Sequence, residues 1–137
     1  MVRLPERIVY VDDEQDLREI LRVTLESFGY EGALATCGSG KELLQRLRVL
    51  QPELILLDLK MPDMDGPATI AQLKMHEMGR NIPIVFVTGS IKLEMLERYK
   101  PLGVIGVIHK PLDLGALTDN ISALWCEYLG EEAVVAD

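Results

Sequence analysis

Leu54-Ile55-Leu56-Leu57-Asp58, followed by Leu59-Lys60-Met61-Pro62-Asp63-Met64-Asp65-Gly66, is the stretch on which the fold turns. Four consecutive aliphatic residues without polar alternation indicate a strand buried on both faces, as in a parallel sheet. The run ends in a carboxylate, and Pro62 and Gly66 then break the chain. Asp58 therefore sits at the C-terminal edge of its strand, the edge where open α/β sheets place their chemistry. An earlier stretch has the same form: Ile8-Val9-Tyr10-Val11 runs into Asp12-Asp13. If the two strands are neighbours, three carboxylates converge. Such a cluster calls for a cation, because like charges at close range cannot all stay ionised unaided.

Outward from these two strands the pattern alternates strand and helix. Strands are expected at Arg7–Val11, Glu31–Ala35, Leu54–Asp58, Ile84–Thr88 and Val104–Ile108. The first helix carries Leu17, Ile20, Leu21, Leu25 and Phe28 at helical spacing and stops at Gly29. The second follows Ser39, carries Leu43, Leu44, Leu47 and Leu50, and ends before Pro52. The third starts at Gly66-Pro67, with proline in the first turn, and runs toward Gly79. The fourth lies between Ile91 and Leu102, with Met95, Leu96 and Tyr99 on its apolar arc and Leu93 off it. The fifth follows Pro111, with Asp113 as its expected N-cap and Leu114, Leu117, Ile121, Leu124, Trp125 and Tyr128 on its arc. Glu131 to Asp137 has no periodicity and reads as a frayed acidic tail. Short connections and right-handed crossovers then specify one α/β domain, a doubly wound parallel sheet covered by helices on both faces.

Composition narrows the function classes. The chain has 137 residues, enough for one domain with a real core, and 48% of them are hydrophobic. No apolar run is long enough to span a bilayer, and Pro5, Glu6 and Arg7 interrupt any signal-peptide pattern. A cytoplasmic setting is the expectation. Net charge of −8, with no basic cluster, disfavours direct contact with nucleic acid. Cys37 and Cys126 show no metal-ligand spacing and read as reduced thiols. His76 and His109 likewise have no partners at metal spacing. Gly38-Ser39-Gly40-Lys41 imitates the end of a phosphate-binding loop. However, the required first glycine would fall at Ala35, and Glu42 stands where Ser or Thr is needed.

Four strand ends carry the chemistry: Asp12-Asp13, Asp58, Thr88 and Lys110. Together they place acids, a hydroxyl and a cation on one rim of one sheet. A carboxylate can act as nucleophile toward phosphorus and form an acyl phosphate. A hard cation such as Mg²⁺ prefers carboxylate and carbonyl oxygens. A lysine and a hydroxyl could bind the remaining phosphoryl oxygens.

With these motifs in order, the chain resembles the receiver domain of bacterial two-component response regulators, and the single-domain chemotaxis receivers in particular. The resemblance rests on Val-Asp-Asp at 11–13, Asp-Leu-Lys-Met-Pro-Asp-Met-Asp-Gly at 58–66, Thr-Gly-Ser at 88–90 and Lys-Pro at 110–111. It covers roughly residues 7–129, with 130–137 as a tail. It implies a flavodoxin-like five-stranded sheet in the order 2-1-3-4-5 with five helices. It implies a signalling domain rather than a dedicated enzyme, with Asp58 as phosphoacceptor. Mg²⁺ would be held by Asp13, Asp58 and the backbone carbonyl of Lys60, with Asp12 helping directly or through water. Thr88 would hydrogen-bond a phosphoryl oxygen, Lys110 would pair with it, and the Lys110–Pro111 peptide would be cis. The implied donor is a histidine kinase or histidine phosphotransfer protein. The implied output is a downstream protein met through the helix 4, strand 5 and helix 5 face, by a monomer or a weak phosphorylation-dependent dimer. Leu93, Tyr99 and Trp125 are candidates to touch that partner, although Tyr99 and Trp125 also fit core arcs.

Three positions depart from the commonest receiver pattern. Val107 stands three residues before Lys110, where many receivers carry Tyr or Phe; it is either plain core packing or the loss of an aromatic switch. Gly89 follows Thr88 where Ala is usual. Lys60 and Ser90 occupy positions that tune acyl-phosphate lifetime in the family, and Lys60 could reach the phosphoryl oxygens or simply be solvated. A haloacid-dehalogenase-type phosphatase would want an acid where Lys60 stands. An unphosphorylated pseudo-receiver would not need the complete acceptor set. The chain reads as a standalone receiver or one cut from a longer regulator.

Overall fold

The computed structural model describes residues 3–130. The segment read as an acidic tail lies outside them, apart from Gly130. The elements are β1 (Arg7–Val11), α1 (Gln15–Ser27), β2 (Ala33–Cys37), α2 (Gly40–Leu50), β3 (Leu54–Asp58), α3 (Gly66–Met75), β4 (Ile84–Thr88), α4 (Leu93–Tyr99), a 3₁₀ turn (Lys100–Leu102), β5 (Val104–His109) and α5 (Leu117–Leu129). The strands form one parallel sheet in the order β2-β1-β3-β4-β5. The flavodoxin-like expectation is thus met, strand order included.

Every residue of β3 and of β4 is buried, as unbroken aliphatic runs demand. Alternate side chains feed two cores. Val9, Val11, Ile55, Leu57, Ile84 and Phe86 meet Leu43 and Leu47 of α2 and Ile70 and Leu73 of α3, with Tyr99 of α4 at the margin. Ile8, Tyr10, Leu54, Leu56, Val85 and Val87 meet Leu21 and Leu25 of α1 and Leu117, Ile121 and Trp125 of α5. Trp125 is buried and stacks on Tyr128, and Tyr99 meets Phe86 edge-on at 6.0 Å between ring centroids. The packing reading therefore accounts for both rings, whereas Leu93 is 70% exposed.

The structure corrects the expected boundaries at several points. β2 lies two residues later than Glu31–Ala35. Its start is set by Ala33 pairing with Arg7 and donating its N–H to the Glu6 carbonyl, contacts no local pattern displays. The fourth helix begins at Leu93 and tightens into a 3₁₀ turn at Pro101, which cannot donate an i−4 bond. Asp113 is not the N-cap of α5. The helix starts at Leu117 behind Ala116, and Asp113 only accepts the Ala116 N–H through its backbone carbonyl. Ile20, Phe28, Leu102, Leu114 and Tyr128 fit apolar arcs yet are exposed. The false phosphate loop is a helix start: Ser39 Oγ accepts the Glu42 N–H at 3.0 Å, and Glu42 Oε1 accepts the Gly38 N–H at 2.9 Å. This reciprocal arrangement is close to a capping box.

β2 is an edge strand, and two arginines cover its outward carbonyls. Arg22 of α1 donates to Leu34 O at 3.1 Å, and Arg46 of α2 donates to Thr36 O at 2.9 Å. Satisfying these groups internally blunts an edge that could otherwise pair with another chain.

Candidate functional site

β1, β3, β4 and β5 end on the same rim, and the register fixes what each presents. Val11 lies beside Leu57 of β3, so Asp12 and Asp13 follow β1 next to the position where Asp58 closes β3. Asp58 in turn lies beside Val87, and Thr88 lies beside His109, the residue before Lys110. The sequence-predicted residues therefore converge. One carboxylate oxygen from each of Asp12, Asp13 and Asp58 lies within 4.8 Å of the others, with Asp12 and Asp58 buried and Asp13 exposed.

Lys110 bridges the cluster. Its Nζ lies 2.9 Å from Asp12 Oδ2 and 3.4 Å from Asp58 Oδ1. Burial disfavours its charge, but hydrogen bonds and charge attraction from the two aspartates outweigh burial and push its pKa above the ordinary value. Asp58 moves upward, from 3.8 to about 6, because of burial first and the neighbouring Asp12 charge second. Lys110 and the Lys60 N–H, 3.4 Å from Oδ1, restrain that rise. Asp58 is thus a carboxylate that is poorly satisfied and aimed into an acidic recess. The Lys110–Pro111 peptide is cis, as the family resemblance implied.

Asp12 is anchored more heavily. Its Oδ1 accepts the Glu14 N–H at 2.8 Å, its carbonyl accepts from Arg18 at 2.6 Å, and its own N–H donates to Cys37 O at 3.0 Å. Its Oδ2 also accepts the hydroxyl of Tyr10, a fully buried side chain. Sequence reasoning missed Tyr10 and Arg18. The available signal was a polar-tipped aromatic inside an otherwise aliphatic strand, two residues before the acid.

Thr88 is buried and its hydroxyl donates to Ser90 O at 2.9 Å, folding the loop after β4 back on itself. Gly89 is exposed, and a Cβ there would meet nothing within 4 Å. Lys60 is exposed, while Val107 is half-buried against the core that includes Met95 and Tyr99. Cys37 and Cys126 are buried free thiols, and burial pushes Cys37 up to about 11, away from reactivity. His76 Nδ1 accepts the Met78 N–H, and His109 is exposed outside the acidic cluster.

Three carboxylates with an exposed member at the mouth form a hard-oxygen donor set able to hold a divalent cation. Lys110 bridges two of these acids, and the Thr88 hydroxyl stands at the end of the neighbouring strand β4.

The sequence profile of the response regulator receiver domain matches residues 8–122. Sporulation initiation phosphotransferase F of Bacillus subtilis is 30% identical over 85% of this chain and 90% of its own length. Transcriptional regulatory protein ZraR of Escherichia coli is 33% identical over 85% of this chain, which spans 24% of that protein. Among solved structures, chemotaxis protein CheY4 of Vibrio cholerae superposes with a TM-score of 0.77 over 86% of this chain and 97% of its own. Identity there is 24%, which speaks for the fold alone.

Proposed function

The chain belongs to the response regulator receiver domain family, and from that premise we propose that it accepts a phosphoryl group on Asp58. The observation that carries this is the Lys110 bridge. A lysine from the end of β5 reaches the carboxylates ending β1 and β3, at the mouth of a three-acid recess. Receiver domains are signalling modules phosphorylated by histidine kinases or phosphotransfer proteins, and such a donor is the one proposed here, in the cytoplasm. A small acyl phosphate could serve in its place.

In this reading an oxygen of Asp58 attacks the donor phosphorus. The bond to the donor histidine nitrogen breaks as the aspartyl acyl phosphate forms. Asp13, Asp58 and the Lys60 carbonyl would hold Mg²⁺ directly, with Asp12 directly or through water. The ion would neutralise the acids and draw charge from the phosphoryl oxygens. Lys110 leaves its bridge to pair with the new phosphoryl group. The Thr88 hydroxyl leaves Ser90 O to donate to it. Those two movements pull on the loop after β4 and on α4, which couples the site to the α4, β5 and α5 face. With Val107 in place of an aromatic, the coupling runs through backbone shifts rather than a rotating ring. Residues 1–137 act as one receiver, and the downstream target is a protein.

Incubation with acetyl phosphate and Mg²⁺, followed by intact-mass measurement, tests the assignment. One labile phosphoryl adduct is expected on the wild type and none on Asp58→Asn. An adduct of equal yield on the variant would overturn Asp58 as the acceptor. Lys110→Ala is expected to take up phosphate but to lose the conformational response.

A further inference from the structure

Tyr10 has no part in the phosphoryl-transfer scheme, yet it touches the acidic recess. Its ring is fully buried in the core between the sheet and α1 and α5, and its hydroxyl donates to Oδ2 of Asp12. The same oxygen takes Lys110 Nζ at 2.9 Å. Oδ1 takes the Glu14 N–H at 2.8 Å. An ionised carboxylate offers about four lone-pair sites, roughly two on each oxygen. Oδ2 therefore has both of its sites filled, and Oδ1 keeps one.

We propose that Tyr10 is a positioning residue that withholds Oδ2 of Asp12 from the cation site and so sets the metal affinity below what a free carboxylate would give. The inference rests on reading the acidic cluster as a cation site. Asp13 and Asp58 then form the main hold, and Asp12 contributes through Oδ1 alone. The phenol is a neutral donor here, since burial and the Asp12 charge both hold its proton. A donor on Oδ2 also drains charge from that oxygen. Asp12 consequently grips Lys110 less firmly, which eases the release of the lysine that phosphorylation requires.

Removing the hydroxyl is expected to leave the Asp12 carboxylate in place, because Glu14 N–H and Lys110 still hold one oxygen each. The orientation that outer partners usually give a ligand is therefore retained, and competition for the lone pair decides the outcome. Mg²⁺ titration by calorimetry into the full chain, without any phosphoryl donor, reads this directly. Three proteins are compared: wild type, Tyr10→Phe, and the chain with 3-fluorotyrosine at position 10, whose phenol is a stronger donor. Mg²⁺ is expected to bind several-fold more tightly to Tyr10→Phe and several-fold more weakly to the fluorotyrosine protein. The fluorotyrosine protein keeps the ring and the hydroxyl, so it answers the question even if Tyr10→Phe folds poorly. Equal affinities in all three would overturn the role of Tyr10 and leave the cation site standing. Weaker binding in Tyr10→Phe would also overturn it, by showing that the phenol orients Asp12 as a ligand. No binding to the wild type would overturn the cation reading itself.

Discussion

Asp58 carries an electrostatic cost that the bare fold must absorb. The residue is 4% exposed, and its pKa is raised from 3.8 to about 6. A carboxyl that binds its proton more tightly when folded favours the folded state at low pH, and that advantage disappears as pH rises from the unfolded value to the folded one. Without a cation, stability should therefore fall between about pH 4 and pH 6 and then level off with respect to this group. Asp58→Asn should remove that loss and raise metal-free stability at pH 7 by up to about 3 kcal/mol, from the 1.36 kcal/mol that each pKa unit is worth. Urea denaturation of both proteins in chelator at pH 4 and pH 7 tests this. A gap that fails to widen with pH would show that the carboxylate is better satisfied than its neighbours indicate. At this scale much of the site was legible in advance, because Asp12, Asp13, Asp58, Thr88 and Lys110 all stand beside strand-ending signals. The partners of those groups were not legible. That Lys110 lies nearer to Asp12 than to Asp58, and that Thr88 turns to Ser90, depends on side-chain positions with no sequence signature.

At the scale of elements, the loop from β3 into α3 ties the acceptor strand to its helix. Gly66 opens α3 and its N–H donates to Leu59 O at 2.9 Å. A Cβ at Gly66 would meet Leu59 Cα at 3.0 Å and Asp58 O at 3.1 Å, both backbone atoms with little room to yield. Gly66→Ala should therefore cost about 1–3 kcal/mol, the usual range for forcing extra volume into a packed site. It should also slow acyl-phosphate formation, because the displaced backbone carries Asp58. Chemical denaturation and the acetyl-phosphate reaction measure the two effects, and a destabilised but still folded variant that phosphorylates at the wild-type rate would show that the displaced backbone does not carry Asp58 with it. Neighbouring Asp65 caps α3, its side chain accepting the Ala68 N–H at 2.9 Å, whereas the sequence reading places the helix start there on Pro67 alone. The start of α5 was not readable. Asp113 offers cap chemistry, but Leu117 is the residue the core selects, and burial of Leu117, Ile121 and Trp125 outweighs a single capping bond.

The whole molecule assembles its acidic recess only by folding, since Asp58 is far along the chain from Asp12 and Asp13. A divalent ion should therefore bind the native state and little else, and it should stabilise by linkage. At 100 times the dissociation constant the gain is about 2.7 kcal/mol. Mg²⁺ should raise the urea midpoint of the wild type, and Asp13→Ala, which removes an exposed carboxylate of the recess without opening the core, should abolish most of that rise. A full response in Asp13→Ala would place the ion elsewhere. Local sequence determined the number and order of the strands and helices, the burial of β3 and β4, the acids at strand ends and the caps at Ser39 and Asp65. Each follows from side-chain period, a terminator or a hydrogen bond to a near neighbour, and all of these are written within a few residues. Tertiary structure alone decided the later start of β2, the arginines over its edge, the exposure of Ile20 and Phe28, and the Tyr10–Asp12–Lys110 chain. Those features arise where distant elements meet, and a contact between distant elements takes its geometry from the packing of both.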